Sequence, residues 1–143
     1  MPFDIDNILS IVQCFAAKIL TYDKRSILVI ADVNLAFPFK KRQIIPSLLK
    51  QIAVNFHVPI ITTTNLNRRP EERYDKKPRL SDLRIKNLGK YADIVSLVYR
   101  DELYNACSSE RGFAEIINII NKEGVTYSLK LKFDSNTASF ENP

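Results

Sequence analysis

Two short apolar runs constrain the fold of this chain more than any other feature. Ser26 to Ala31 reads SILVIA, and Ile60 to Thr64 reads IITTT. The first is a continuous apolar run, the look of a strand buried on both faces of a parallel sheet, and the second begins as a buried strand. Ahead of the first run, Ile8, Leu9, Ile11, Val12, Phe15, Ala16, Ile19 and Leu20 recur at three- and four-residue spacing. They predict an amphipathic helix over 5–20. Between the runs, Ile45, Leu48, Leu49, Ile52, Ala53 and Phe56 predict a second helix over 44–56. Pro46 falls in its first turn, where a missing N–H is tolerated. Helix, strand, helix, strand implies a βαβ crossover and a parallel sheet flanked by helices.

After the second run, Ser81 to Leu88 predicts one or two helical turns, with Ser81 as N-cap and Gly89 closing them. Ala92 to Tyr99, ADIVSLVY, predicts another buried strand, and residues 101–111 a polar loop. Phe113 to Ile120 and Tyr127 to Phe133 predict two strands around a turn near Glu123 and Gly124. The second alternates, with Leu129, Leu131 and Phe133 on one face, as a half-exposed or edge strand does. The polar tail carries one apolar anchor, Phe140. The fold class expected is α/β, mainly a parallel sheet with helices on it and C-terminal antiparallel strands. With 143 residues the chain suits a single domain, 1–143.

Charge is uneven along this frame. Arg68 to Lys90 holds nine basic and four acidic residues, a net of +5, equal to the formal charge of the whole chain. So local a field suits a phosphate-facing surface, the plainer alternative being a solubilising loop. Candidate nucleic-acid contacts are Arg68, Arg69, Arg73, Lys76, Lys77, Arg79, Arg84 and Lys86. Lys40, Lys41 and Arg42 form a second small cluster. Tyr74 either stacks on a base or packs on its own scaffold, and Asp82 is expected to pair with one of the arginines. Asp32, ending the first apolar run, is a candidate for Mg²⁺ in a nucleotide-binding fold, though strand ends are polar anyway. Asn65, ending the second, either meets a phosphate or water or caps the loop backbone. His57, with no acid or nucleophile beside it, reads as structural.

Other classes are disfavoured. Cys14 and Cys107 suggest no structural disulfide, and one histidine with two scattered cysteines gives no zinc spacing. No stretch of 18 apolar residues appears, and the N-terminus MPFDIDN begins with acids, so neither a membrane nor secretion is expected. With three glycines and no G-x-x-x-x-G-K-[ST] loop, these residues cannot wrap a triphosphate in backbone amides.

PIITTTNLNR, DKKPRLSDLR, YADIVSLVYRDELYN, GFAEIINII and LKLKFDSNTASFEN follow one another as in the C-terminal part of the DnaB-type replicative helicases. IDNILSIVQ and SILVIADVNL resemble the helix and Walker B strand of the same domain. The resemblance covers essentially the whole chain and implies a partial RecA-like core from a hexameric, ATP-driven family, without the N-terminal helical domain or the Walker A segment. In an ungapped reading the Walker B aspartate falls on Ala31, with Asp32 next to it, and the glutamine that senses the γ-phosphate falls on Asn65. SDLR matches at Ser81 to Arg84, while the acid and glycine that follow in the DNA-binding loop become Ile85 and Asn87. The lysine and arginine that reach into the neighbouring subunit's ATP site fall on Ile120 and Lys122, and a lysine cannot reproduce an arginine's fork.

The resemblance therefore implies a protein of DNA replication without an ATPase of its own. Its expected partners are single-stranded DNA, a full-length helicase, or another copy of itself. The alternatives are a 5′–3′ helicase fragment or subunit whose Walker A part is supplied elsewhere, and a relic without activity. The family uses ATP and Mg²⁺; no cofactor is expected for this chain alone. The compartment expected is a plastid, or the cytoplasm or nucleoid, and an apolar strand edge is expected to lie open.

Overall fold

The computed structural model describes residues 10, 12–14, 17–18, 27–36 and 42–142. Residues 10, 12–14, 17 and 18 are helical, in keeping with the first amphipathic pattern; the other residues of the span expected to be helical, and Lys40 and Lys41, lie outside the described residues. The strands are β1 (Leu28–Ile30), β2 (Ile60–Thr62), β3 (Ile94–Tyr99), β4 (Phe113–Asn121), β5 (Tyr127–Asp134) and β6 (Ser139–Glu141). The helices are α1 (Val33–Ala36), α2 (Ile45–Phe56), α3 (Arg69–Glu72) and α4 (Leu88–Tyr91), with 3-10 turns at Leu80–Asp82 and Asp101–Leu103. Contacts gather into two groups. One holds the chain up to Asn65 with Leu83–Tyr91; the other holds Leu66–Asp82 with the residues from Ala92 on.

In the first group β1 and β2 pair in parallel, Val29 opposite Ile61. The crossover is α2, as the spacing predicts. Ile45, Leu49 and Ile52, four and three residues apart, face one core with Val12, Val33 and Ile85, and Leu28, Ile30 and Ile60 pack on it from the strands. Pro46 sits in the first turn, and His57 ends the helix at φ 52, a left-handed cap. Burial on both faces of β1 does not hold. Val29 is 62% exposed and Ile61 53%. Their neighbours in the strand turn to α2, and period-two alternation sends these two to the opposite face. The helical turns expected over Ser81–Leu88 are also displaced. A 3-10 turn ends at Asp82, α4 starts at Leu88, and Gly89 lies inside it.

The second group is one antiparallel sheet in the order β3-β4-β5-β6. Its middle strands form the expected hairpin, Ile116 opposite Leu129. β3 joins this sheet rather than β1 and β2, and it is not buried on both sides. Val95, Leu97 and Tyr99 are buried, while Ile94 and Val98 are exposed. A bulge between Val95 and Ser96 shifts its register on β4. Phe140 packs on Phe133, ring centroids 5.1 Å apart, and so carries the tail into β6. Cys14 and Cys107 are both free and exposed. No described helix is long and apolar enough to cross a membrane.

Candidate functional site

The carboxyl ends of β1 and β2 are knit together by short polar side chains. Ala31 is an exposed bend. Asp32 follows at φ 51, in the left-handed region that aspartate tolerates better than most residues. Its N–H donates to Thr63 Oγ1 (2.8 Å), and the Val33 N–H to the Thr63 carbonyl (2.8 Å). Asp32 Oδ1 accepts the Asn34 N–H (3.0 Å), which caps α1, and Oδ2 accepts Asn65 Nδ2 (2.9 Å). Buried Asn34 donates from Nδ2 to Thr64 Oγ1 (2.6 Å). Two residues singled out in the sequence, Asp32 and Asn65, are thus brought into contact, with Asn34 and Thr63 as unforeseen members.

This cluster suits Mg²⁺ and ATP poorly. It offers one carboxylate, each oxygen of which already accepts a protein hydrogen bond, and these 143 residues contain no phosphate-wrapping loop. Among the described residues no group of three or more His, Cys, Asp and Glu could hold a metal ion.

The basic stretch in the second group is built on one buried pair. Asp82 has no solvent exposure. Arg73 grips it with both terminal nitrogens, Nη1 to Oδ1 (2.9 Å) and Nη2 to Oδ2 (2.8 Å). The Arg79 N–H adds a third bond to Oδ2 (2.8 Å). Hydrogen bonding from Arg73 holds the Asp82 carboxyl below the usual carboxylate range against the opposing effect of burial. The same guanidinium donates to the carbonyls of Lys77 (2.8 Å) and Asp75 (3.4 Å). Arg73 therefore organises the loop, with every nitrogen of its guanidinium engaged inside it.

The other cations differ in how far they are committed. Lys77 pairs with Glu115 (2.7 Å) and lies over the Tyr99 ring, while Lys76 donates to the Glu71 carbonyl (2.7 Å). Arg79 pairs with Asp75 (3.2 Å) with both side chains more than half exposed. Arg68 and Arg69 are exposed, and neither makes a side-chain hydrogen bond or ion pair with another described residue. Arg84 and Lys86 are exposed but belong to the first group. Ile120 is a strand residue opposite Val95, and Lys122 lies in the following turn, 3.7 Å from Asp93. Beside the basic stretch is a cavity of about 120 Å³ lined by Pro70, Pro78, Val98 and the Tyr99–Tyr104 stack, whose rings lie 5.9 Å apart. Burial pushes the Tyr99 hydroxyl above its ordinary value, and it donates to Asp101 (2.7 Å).

Residues 40–142, which include the whole basic stretch and the antiparallel sheet, match the family model of the DnaB-like helicase C-terminal domain. The chain belongs to that family. It is 39% identical over 95 residues to the replicative DNA helicase DnaB of Haemophilus influenzae, covering 66% of this chain and 20% of that protein. It thus spans about a fifth of the length of the relative it matches. Among solved structures, an ATPase domain superposes with a TM-score of 0.81 at 26% identity, covering 98% of this chain and 51% of that one. A DnaB-like replicative helicase described with its primase interactions gives 0.84 at 23% identity, covering 94% and 35%. The α/β core is therefore part of a RecA-like ATPase fold. Ala31 and Asp32 precede the residues that the family model matches.

Proposed function

We propose that this DnaB-type domain, residues 1–143, serves DNA replication by holding single-stranded DNA on the cations of residues 68–79, without turning over ATP by itself. The observation that carries this reading is the division of labour in the basic stretch. The buried Arg73–Asp82 fork fixes the loop, and Arg68 and Arg69 remain exposed to solvent. Phosphate contacts from such cations position a strand and weaken with salt. A full-length helicase or a second copy of this chain is the protein partner. The primase named with one solved relative supports a place among replication proteins. The fitting compartment is one that holds DNA, a plastid or a nucleoid.

A second reading is favoured by one observation: the chain spans 51% of the solved ATPase domain it superposes on, and Val29 and Ile61 leave an apolar face of β1 and β2 uncovered. On this reading a segment carrying the Walker A part completes the sheet, and the assembled domain hydrolyses ATP. Titration of labelled single-stranded DNA over a salt series, with and without ATP and Mg²⁺, tests the first reading. We expect salt-sensitive binding, weakened by neutralising Lys76 and Lys77, and no phosphate release by the chain alone. Binding indifferent to all of these changes would refute the DNA surface, turnover by the purified chain would overturn the first reading, and turnover that appears only once a Walker A segment is added would favour the second.

A further inference from the structure

We propose that Tyr74 is the base-stacking residue of the basic stretch, its ring taking the face of an unpaired base while the phosphates lie on the neighbouring arginines. This rests on the DNA-binding reading above and assigns it a specific residue. Tyr74 is 104% exposed, so its side chain packs on nothing. Among the other described tyrosines, Tyr99 and Tyr104 stack on each other and Tyr91 lies under the Lys90 ammonium, while Tyr127 is about half exposed, at 51%, on β5.

The backbone on either side of Tyr74 is pinned. Arg73 is locked on Asp82 and donates from Nε to the Asp75 carbonyl (3.4 Å), and the Asp75 carboxylate accepts the Lys77 N–H (3.0 Å). A free ring on a fixed loop, with Arg68 and Arg69 within six residues, is the pairing of aromatic platform and cations by which single strands are held. Bases within a duplex already stack on their neighbours and present no face to such a ring. No walls enclose Tyr74, so the contact should tolerate any base.

Anisotropy of labelled oligo(dT), oligo(U) and a hairpin duplex with the full chain tests this. Tyr74→Ala should weaken single-strand binding about tenfold and leave the salt slope unchanged. Tyr74→Phe should bind like the unaltered chain. Arg68→Ala and Arg69→Ala should instead each reduce the slope by about one. Because the chain has no tryptophan, Tyr74→Trp gives a single reporter whose emission should be quenched by oligo(dT). The two oligonucleotide arms show whether DNA or RNA is preferred. If Tyr74→Ala binds within about twofold of the unaltered chain, or weakens the duplex equally, the stacking role is overturned and the DNA reading stands. If the unaltered chain binds no single strand, both fall.

Discussion

At the ends of β1 and β2, and in the loop from Leu66 to Asp82, polar side chains are gathered in opposite ways. Asp32, Asn34, Thr63, Thr64 and Asn65 bond mainly to one another, with the buried Asn34 Oδ1 left over. In the loop, one buried carboxylate takes three donors, and the chain around it is held with several cations still facing water. The first arrangement joins two strand ends. The second gives a rigid frame for exposed charge, which is what a binding surface needs if ordering is not to oppose binding. Charge alone does not mark a contact residue: Arg73, central in the sequence of the basic stretch, is the arginine most fully used within it.

The largest expected effect comes from breaking the buried pair. Asp82→Ala leaves the Arg73 guanidinium without its carboxylate and should cost about 3 kcal/mol in urea unfolding; a loss below about 1 kcal/mol would mean the loop does not depend on the fork. The same pair should respond to acid. The folded Asp82 carboxyl lies below its ordinary value, so its contribution is fully present above about pH 4. That contribution fades as the pH drops through the lowered folded value. Unfolding measured down the acid range should show this decline, and Asp82→Asn should flatten it. An unchanged acid profile in that variant would assign the decline to other carboxylates.

A smaller change is expected at the strand ends. Asp32→Ala removes the cap of α1 and the bond from Asn65, at about 1 kcal/mol. Any ATP turnover by the chain that depends on Asp32 would break the contrast between the two regions. The smallest effect on stability belongs to Arg79→Ala, whose ion pair with Asp75 is more than half exposed. The unfolding midpoint should not move, while single-strand affinity falls a few-fold and the salt slope by about one. A shift in stability equal to that of Asp82→Ala would show that Arg79, too, belongs to the frame.

Much of the fold was legible before the structure. The spacing of Ile45, Leu49 and Ile52 specified a helix and its buried side, and the hairpin of β4 and β5 followed from two apolar runs around Glu123 and Gly124. The ordered motifs marked a DnaB-type domain, because several separated words in one order rarely coincide. Period and composition act through neighbours three, four or two residues away, so a sequence displays them directly.

Partner choice across space was decided only by the tertiary structure. ADIVSLVY resembles a buried strand, but β3 joins the antiparallel sheet beside β4 with Ile94 and Val98 on its exposed side. SILVIA resembles a strand covered on both faces, yet α2 covers one and leaves Val29 out. Asp82 could be expected to find an arginine; that it would be Arg73, nine residues away and through two nitrogens, depended on how the loop turned. Residue type sets what a side chain can bond to, and the path of the backbone sets which group arrives within reach.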